Sequence, residues 1–354
     1  MKILSIVGAR PQFIKCAPLS HKLRERHEEI IVHTGQHYDS NMSNVFFEEL
    51  NIPEPDYNLG IGSGLHGKQT ALMIIEIEKL LMKEQPNLVL VYGDTNSTLA
   101  GALAASKLHI KIAHVEAGLR SFDRTMPEEI NRILTDHLSS LLFCPTDTAI
   151  RNLKNEGITS CAYNVGDVMV DSLNYNLTVS EERSTLLKNI CVQPKEYMVA
   201  TIHRPVNTDN RKNLSSIVEA FCKSKWPIVF PVHPRTEKCL RQYELWDKLC
   251  LHVKVIQPAG YLDMLNLMAK SKKILTDSGG VQKEAYMLGV PCITLRESTE
   301  WIETVYEGWN VLVGANYTMI KEAIDTFDGS NVRQSTFGRG KTAEKIVEII
   351  SSLS

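Results

Sequence analysis

Short apolar runs alternate with helix-like stretches along the first half of the chain. Residues 2–7 (KILSIV), residues 29–35 (EIIVHTG) and the runs NLVLVYG and KIAHVEAG are apolar segments of strand length. Residues 66–83 and the small-residue run TLAGALAASKL predict helices, whereas residues 53–67, rich in Gly, Pro and Asn, predict a loop. This alternation predicts a parallel, doubly wound sheet with right-handed crossovers.

The second half repeats the same rhythm without a repeat at the level of individual residues. Five runs predict strands or strand ends: YMVATIHRP, WPIVFPVHPR, HVKVIQPAG, KKILTDSGG and VPCITLRE. We therefore expect an α/β protein with two Rossmann-like domains whose parallel sheets face a central cleft. Its functional site should lie in that cleft, at the strand ends.

The division between the domains is expected near the polar stretch at residues 174–195, which follows a predicted strand and turn at residues 164–171. We expect an N-terminal domain over residues 1–173 and a C-terminal domain over residues 174–335. The remaining residues, 336–354, contain the amphipathic run TAEKIVEIISSL, which predicts a last helix that can pack back on the N-terminal domain.

Three carboxylates follow strand or turn signals in the first half. Asp94 follows NLVLVYG, Glu116 follows KIAHV, and Glu128 follows Pro127. The carboxyl ends of parallel strands meet at one edge of a sheet, so acids gathered there indicate chemistry. Glu128 also has a simpler interpretation, because the helix dipole favours an acid in the first turn of a helix. If the three acids crowd together, like-charge repulsion should raise the pKa of at least one of them.

Two segments offer sites for an anion. The turn at Gly8 leads into a helix, with Arg10 at its start and Lys15 about a turn and a half further on. The stronger signal is TDSGGVQKEA, where a strand ends at Asp277 and a serine and two glycines open a helix. Backbone N–H groups there can receive a diphosphate, and an acid one turn later can accept hydrogen bonds from a ribose.

Two histidine–arginine pairs follow other strands of the second half. His203 and Arg204 follow one strand, and His233 and Arg235 follow another. These residues add positive charge or proton donors at the same edge of the predicted sheet. A structural role is the simpler interpretation of each histidine alone, but together they are suited to surround an anion.

Composition and charge exclude several classes of function. The net charge of −2 argues against a nucleic-acid partner, and the apolar run that ends at Gly8 is too short for a signal segment or a membrane span. A cytoplasmic protein is expected. The eight cysteines contain no C-x-x-C pair and predict free, buried thiols, while the eleven histidines form no pattern typical of a metal site.

Eight motifs occur in an order that resembles the non-hydrolysing UDP-N-acetylglucosamine 2-epimerases: GARPQFIK, TGQHYD, GDTNSTLAG, HVEAGLRS, MPEEINR, HRPVN, HPR and DSGGVQKEA. The resemblance covers nearly the whole chain. It implies the GT-B fold, a homodimer, and the interconversion of UDP-N-acetylglucosamine (UDP-GlcNAc) and UDP-N-acetylmannosamine (UDP-ManNAc). It also implies that neither NAD nor an obligatory metal is needed, because UDP is eliminated to give 2-acetamidoglucal and then re-added.

The resemblance also implies roles for individual residues. The catalytic set would be Asp94, Glu116, Glu128 and His203, with the histidine assisting the departing diphosphate. The substrate would be held by Arg10, Lys15, His233, Arg235, Ser278, Gly279, Gly280 and Glu284, the last binding the ribose. Members of the family that bind a second UDP-GlcNAc as an activator have a site whose counterparts here are Gln36, His37, Lys68 and Gln69.

The chain departs from the best-known bacterial members at several positions. Ala9 and Gln12 stand within the first loop, where those enzymes have GTRPE, and Asp39 lies at a position of the activator site. HRPVN replaces the HRREN type, and TEWIET (residues 299–304) replaces TERPE. The TEWIET variant also resembles archaeal-type epimerases and those that act on UDP-2,3-diacetamido-2,3-dideoxyglucuronate. That uronate epimerase is the close alternative; a retaining GT-B glycosyltransferase and a non-catalytic nucleotide-sugar sensor are more distant ones.

Overall fold

The computed structural model describes residues 1–36, 54–330, 332, 334 and 336–353, apart from the side chain of Arg10. The described residues divide into two compact units, Met1–Asn174 with Ser335–Ser354, and Tyr175–Gln334. Within the described residues, each unit contains one sheet, and all the strands of each sheet are parallel.

The first unit has a seven-stranded sheet in the order β3-β2-β1-β4-β5-β6-β7. Its strands are β1 (Lys2–Val7), β2 (Glu28–His33), β3 (Tyr57–Asn58), β4 (Leu88–Tyr92), β5 (Lys111–Val115), β6 (Leu141–Cys144) and β7 (Ala162–Asn164). Its helices are α1 (Arg10–Arg24), α2 (His66–Glu84), α3 (Asn96–Lys107), α4 (Pro127–Leu138), α5 (Asp147–Asn155) and the C-terminal α16 (Thr342–Ser351). Helix α6 (Val168–Arg183) begins in this unit and continues past the division after Asn174.

The second unit has a six-stranded sheet in the order β10-β9-β8-β11-β12-β13. Its strands are β8 (Met198–Thr201), β9 (Ile228–Pro231), β10 (Lys254–Ile256), β11 (Ile274–Thr276), β12 (Cys292–Thr294) and β13 (Asn310–Leu312). Its helices are α7 (Leu186–Asn189), α8 (Pro205–Thr208), α9 (Arg211–Cys222), α10 (Pro234–Gln242), α11 (Trp246–His252), α12 (Tyr261–Ala269), α13 (Gly279–Leu288), α14 (Ile302–Tyr306) and α15 (Tyr317–Thr326).

The apolar runs form the two cores as their pattern predicts. Strand residues such as Leu4, Val32 and Val91 pack against Met73 and Ile77 of α2 in the first unit. The second core is built in the same way, with Met198, Ile228, Phe230 and Leu275 of the strands and Ile217 and Phe221 of α9. Burial of both faces explains why these strands are continuous apolar runs without alternation.

The order of each sheet reverses beside its first strand, between β1 and β4 in the first unit and between β8 and β11 in the second. In a doubly wound sheet, loops at such a switch point separate and leave a crevice at the carboxyl ends of the strands. Polar residues that follow β1, β4, β8 and β11 are therefore the first candidates for a site.

Two predictions about secondary structure are wrong, and the apolar pattern does not predict one of the strands. The loop expected at residues 53–67 contains the short strand β3, which pairs with β2. Residues 164–171 are not a strand and turn, because α6 begins at Val168; the Asp167 carboxylate accepts a hydrogen bond from Met169 N (2.8 Å) and caps this helix. Helix α6 then continues to Arg183 through the polar stretch expected at the division. Strand β13 was not predicted.

The C-terminal helix α16 contacts α1 of the first unit, where His27 Nε2 and Ser351 Oγ lie 2.8 Å apart. All eight cysteines are free thiols, but Cys191 and Cys250 are exposed, so the expectation that the thiols are buried is wrong for these two. Among the described residues, no helix combines the length and the apolar composition that crossing a membrane requires.

Candidate active site

The turn between β1 and α1 is held against the end of β4. Gln12 Oε1 accepts hydrogen bonds from Gly8 N (2.8 Å) and Ala9 N (3.0 Å), and its Nε2 donates to Tyr92 O (2.8 Å). A Cβ on Gly8 would lie 2.1 Å from Ser97 Oγ, so a larger residue does not fit at this turn. Arg10 begins α1 here, but its side chain lies outside the described atoms.

Asp94 follows β4 and is held by an arginine that sequence reasoning did not identify. Arg132 of α4 donates from Nε (2.9 Å) and Nη2 (2.7 Å) to Asp94 Oδ2. The carboxylate remains about one third exposed (34%). Asn131, the neighbour of Arg132, donates from Nδ2 to the Asp94 carbonyl (2.9 Å). The motif MPEEINR therefore positions the first acid from a neighbouring helix.

Glu116 follows β5 and forms an ion pair with Lys15 of α1. The backbone of Glu116 has φ +73°, a left-handed conformation that side chains rarely adopt. Strained backbone of this kind is often found at functional sites, where the surrounding structure enforces it. The Lys15 ammonium thus meets a carboxylate of its own unit, whereas the sequence suggested a phosphate as its partner.

Two adjacent acids at the start of α4 have different surroundings. Glu128 is half-buried, and its side chain has no hydrogen bond or ion pair with another residue of the described part of the chain. Glu129 is buried (1% exposed) and accepts hydrogen bonds from Ser121 N (2.9 Å), Phe122 N (3.0 Å) and Arg132 Nη1 (2.8 Å).

Burial alone would raise the pKa of Glu129, but these donors hold it below its usual value of 4.5. Sequence reasoning did not identify Glu129. The only sequence feature that pointed to Glu129 is the pair of adjacent acids in PEEIN. That pair does not show which of the two acids is buried. Within α4, Glu129 anchors the preceding loop while Glu128 remains available.

Two of the three candidate acids lie beside a cation. Asp94 has Arg132 as a partner, and Glu116 has Lys15. The expected crowding of the three acids stays a prediction. Among the described residues, no group of three His, Cys, Asp or Glu side chains is arranged to hold a metal ion.

In the second unit, Asp277 organises the loop that follows β8. This fully buried carboxylate accepts hydrogen bonds from His203 N (3.0 Å), Arg204 N (3.0 Å) and Asn207 Nδ2 (3.0 Å). The motifs DSGG and HRPVN therefore form one hydrogen-bonded structure at the switch point between β8 and β11. Asp277 has a supporting role that its position before the Ser-Gly-Gly turn did not reveal.

The side chain of His203 is partly exposed, and its Nδ1 lies 3.4 Å from Asp277 Oδ1. Burial lowers the pKa of His203 below 6.5, and the positive charge of Arg204 acts in the same direction, although Asp277 opposes both. The ring is therefore neutral at pH 7 and can donate one hydrogen bond. The sequence allowed His203 to act either as a positive charge or as a proton donor, and the neutral ring favours the second role.

The Ser-Gly-Gly turn opens α13 as predicted. Ser278 is its N-cap residue, and the Ser278 side chain makes no capping hydrogen bond. The first N–H groups of a helix have no partner within the helix, so the turn offers donors to an anion. A Cβ on Gly279 would lie 1.9 Å from Glu300 Oε1, so the TEWIET segment lies directly against this turn. Glu284, half-buried, lies one turn along α13.

His233 and Arg235 follow β9 at the start of α10. His233 Nδ1 accepts a hydrogen bond from Arg235 N (3.2 Å), which leaves the proton of the neutral ring on Nε2. The guanidinium of Arg235 donates to Asp209 (2.6 Å), and both side chains are about half exposed. A surface pair of this kind contributes little to stability, so the arginine can exchange its partner for an anion.

Two of the four possible activator-binding residues are hydrogen-bonded within the fold. Gln36 Oε1 accepts from Ser97 Oγ (2.6 Å), and the buried Gln69 accepts from Asn96 Nδ2 (2.8 Å) and donates to Gly62 O (3.0 Å). Lys68 is exposed, and His37 lies outside the described residues, as does Asp39. Both glutamine amides therefore help to fix the start of α3.

Two Rossmann-like units, each with an all-parallel sheet and polar residues at its switch point, define an α/β enzyme of the GT-B fold class. The chain belongs to the UDP-N-acetylglucosamine 2-epimerase family, whose members are isomerases, because the model of that family matches residues 21–351. The resemblance that the eight motifs indicated is thereby confirmed.

Individual relatives align along the whole chain. A UDP-N-acetylglucosamine 2-epimerase homolog of Methanococcus maripaludis is 59% identical over 100% of both chains. The UDP-2,3-diacetamido-2,3-dideoxy-D-glucuronate 2-epimerase of Pseudomonas aeruginosa is 52% identical, also over 100% of both chains. The crystal structure of Methanocaldococcus jannaschii UDP-GlcNAc 2-epimerase in complex with UDP-GlcNAc and UDP has a TM-score of 0.88 and 48% identity. That match covers 99% of this chain and 100% of the other.

Proposed function

We propose that the protein interconverts UDP-GlcNAc and UDP-ManNAc by anti elimination of UDP to 2-acetamidoglucal followed by re-addition. One observation carries the proposal: Asp94, Glu116 and the Ser-Gly-Gly turn follow strands at or next to the switch points of their sheets, and Glu128 lies in the first turn of α4. Membership of the epimerase family supports the same reaction class.

The acids of the first unit would perform the proton transfers. A carboxylate removes the C2 proton as the C1–O bond breaks, and the electron pair of that bond leaves with the diphosphate oxygen of UDP. Re-addition forms the C1–O bond again, while a second acid delivers a proton to the opposite face of C2. One group cannot easily serve both faces, which accounts for a set of acids: Asp94, Glu116 and Glu128.

The second unit would hold the departing UDP. The N–H groups of Gly279 and Gly280 and the hydroxyl of Ser278 would receive the diphosphate, and Glu284 would bind the ribose diol. The neutral ring of His203 would donate a hydrogen bond to the leaving oxygen as its negative charge develops. Arg10, Lys15 and Arg235 would add positive charge for the phosphates, with Lys15 shared between this role and its ion pair with Glu116. His233 would donate a hydrogen bond from Nε2.

A second substrate deserves a parallel test, because one relative favours it specifically. The Pseudomonas aeruginosa enzyme named for UDP-2,3-diacetamido-2,3-dideoxy-D-glucuronate is 52% identical to this chain, against 49% for the Methanocaldococcus jannaschii UDP-GlcNAc 2-epimerase. The same chemistry at C2 serves either sugar, since the two substrates differ only at C3 and C6.

Substrate choice is tested by incubating the purified protein with each of the two UDP-sugars and following the C2 epimer by NMR. We expect conversion of UDP-GlcNAc at a kcat/KM above that for the uronate. A preference for the uronate would assign the second candidate, and transfer of the sugar to an acceptor would indicate a glycosyltransferase. Ligand binding without any turnover of either sugar would indicate a sensor.

A further arm of this assay tests the possible activator site. If Gln36, His37, Lys68 and Gln69 bind a second UDP-GlcNAc, the reaction that starts from UDP-ManNAc should need added UDP-GlcNAc. The internal hydrogen bonds of Gln36 and Gln69 support the opposite expectation, a reaction that proceeds without it.

The protein is further proposed to form a homodimer through an apolar face of the first unit. Leu72, Ile75 and Met82 are exposed on one side of α2, and Ile130 and Leu134 are exposed on α4. Helix α3 contacts both α2 and α4, so the two helices belong to one layer. Exposed apolar side chains that are concentrated in this way are typical of a protein–protein interface.

A further inference from the structure

A buried histidine lies beneath the two turns that carry Asp94 and Glu116. His114 of β5 has no exposed surface. Its Nδ1 lies 2.7 Å from Asp136 Oδ1 of α4, and its Nε2 lies 2.7 Å from the carbonyl oxygen of Gly93. Both ring nitrogens therefore face an oxygen atom at hydrogen-bond distance.

The hydrogen bonds define the charge of this ring. A carbonyl oxygen only accepts, so Nε2 carries a proton. The second oxygen of Asp136 accepts from Gly118 N (3.1 Å) and Arg120 Nη1 (2.7 Å), so two donors, one of them a cation, face this carboxylate. Burial raises the pKa of Asp136, but His114 and Arg120 outweigh it and hold this pKa below 3.8. The Nδ1 atom therefore also donates.

The charges around the ring balance without a further ion. Arg120 reaches Asp136 with Nη1 and holds Glu156 with Nε (2.6 Å) and Nη2 (2.8 Å). Two cations, His114 and Arg120, thus alternate with two carboxylates, Asp136 and Glu156. A buried charge is tolerated when it is paired and hydrogen-bonded in this way.

One histidine–aspartate pair connects both proposed catalytic turns. His114 holds the carbonyl of Gly93, the residue before Asp94, while Asp136 holds the N–H of Gly118, two residues after Glu116. A Cβ on Gly93 would lie 3.2 Å from Lys15 Nζ and 3.3 Å from Glu116 Oε2. The backbone that His114 fixes is therefore the surface against which the Lys15–Glu116 ion pair lies.

We propose that His114 is a positioning residue that acts as a buried imidazolium. Together with Asp136, it holds the turns that carry Asp94 and Glu116 in the positions that proton transfer at C2 requires. The positioning role rests on the proposed function, whereas the charge of the ring does not. Two separate measurements therefore test the two parts of the proposal.

The charge is tested by NMR of the full-length protein with ¹⁵N-labelled histidine at pH 7. We expect the signals of His114, identified by their loss in H114Q, to show a proton on both ring nitrogens. A neutral ring with one protonated nitrogen would overturn the proposal, even in a protein that is fully active.

The positioning role is tested by kinetics of H114Q and H114F beside the surface control H252Q, whose histidine is exposed on α11 of the second unit. Glutamine can still donate to the Gly93 carbonyl, whereas phenylalanine cannot. We expect H252Q to keep the wild-type kcat, H114Q to have a lower kcat, and H114F to have the lowest, reduced about 100-fold. KM should stay nearly unchanged, as for misplaced catalytic groups. Circular dichroism and UDP binding check that each variant is folded.

Each contrary outcome identifies which part fails. The positioning role would be overturned if H114Q and H114F turned over at the wild-type rate. It would also be overturned if kcat and KM changed in parallel in these variants. If H114F does not fold, H114Q and D136N still test the positioning role. Each variant retains one member of the His114–Asp136 pair, and each should lower kcat with KM unchanged. If the wild-type protein has no epimerase activity, the proposed function is contradicted. The NMR result on the charge of His114 does not depend on that activity.

Discussion

At the scale of single residues, the first unit separates acids that are available for chemistry from acids that build the fold. Glu128 and Glu129 are neighbours in the chain, yet only Glu129 is buried and fully engaged by donors. Among the described residues, Asp94 and Glu116 are each paired with a cation and retain some exposure. Adjacent positions in a first helical turn point about 100° apart, which is enough to give the two acids different surroundings.

Replacing each of these two neighbours by its amide should separate the roles. E128Q should fold with an unchanged free energy of unfolding and lose kcat by about 100-fold or more, because a general acid or base is removed. E129Q should lower the free energy of unfolding by about 1–3 kcal/mol, because an amide satisfies fewer of the buried donors. Urea denaturation and steady-state kinetics measure both effects. If E128Q keeps the full rate, Glu128 is not catalytic and only complements the dipole at the start of α4.

The lowered pKa of Glu129 also predicts a dependence of stability on pH. In the unfolded chain this carboxyl protonates near 4.5, and in the folded protein it protonates only at lower pH. Its stabilising contribution should therefore be fully present above about pH 4.5 and be lost as the pH falls through the folded pKa. Unfolding curves of the wild type and E129Q should converge toward low pH. A difference that stays constant from pH 6 to pH 3 would contradict this linkage.

Much of the candidate site was predictable at the residue scale, for a physical reason. Asp94, Glu116 and the Ser-Gly-Gly turn come just after apolar strands, and strand ends are visible as the point where the apolar run stops. Arg132 and Asp277 were not assigned their roles, because each acts on a partner far away in the chain, 38 and 74 residues respectively. Such pairings depend on how helices pack on the sheet, and spacing along the sequence does not encode them.

At the scale of elements, the entry into α1 depends on close contact with α3. A Cβ on Gly8 would lie 2.1 Å from Ser97 Oγ and 2.2 Å from Thr34 Oγ1, and these two hydroxyls are hydrogen-bonded to each other (2.8 Å). Neither short side chain can move away without breaking that bond.

G8A should therefore lower the free energy of unfolding by about 1–3 kcal/mol through overpacking. The matched control is G67A in α2, where a new Cβ meets no atom within 4 Å. Alanine there should leave stability unchanged or slightly raised, because alanine favours a helix. Thermal and urea unfolding compare the two variants. Equal stability of G8A and G67A would show that the β1–α1 turn can widen.

Elements were predictable where the hydrophobic pattern was long and regular. Strands such as β1 and β4 and helices such as α2 match their patterns closely. Helix α6 was not recognised because its polar C-terminal half lacks a clear apolar periodicity, and its start depends on the cap at Asp167. Strand β13 spans only three residues and owes its conformation to pairing with β12, an interaction distant in sequence.

At the scale of the whole molecule, the proposed dimer face gives a direct test of assembly. Glutamates at Ile75 and Met82 would place two charges within the exposed apolar side of α2, where desolvation opposes association. Light scattering after size exclusion should give a dimer for the wild type and a monomer for I75E/M82E. The control M319E changes an exposed methionine of the second unit and should remain dimeric. A double variant that stays dimeric would locate the interface elsewhere.

The proposed reaction would use residues of both units, because the candidate acids belong to one and the Ser-Gly-Gly turn to the other. Elimination and re-addition require that the C2 proton leaves the sugar during every turnover. A transfer at C1 alone, or an inversion that retains the C2 proton, would leave that hydrogen in place. The fate of the C2 hydrogen therefore distinguishes the proposed mechanism from its alternatives.

The most direct measurement is NMR and mass spectrometry of UDP-GlcNAc incubated with the purified protein in D₂O. The proposed mechanism predicts UDP-ManNAc that carries deuterium at C2, and exchange of the C2 proton in the recovered UDP-GlcNAc as re-addition proceeds from either face. Formation of UDP-ManNAc with its original C2 proton retained would contradict the mechanism. A substrate that remains unexchanged and unconverted would contradict the proposed function.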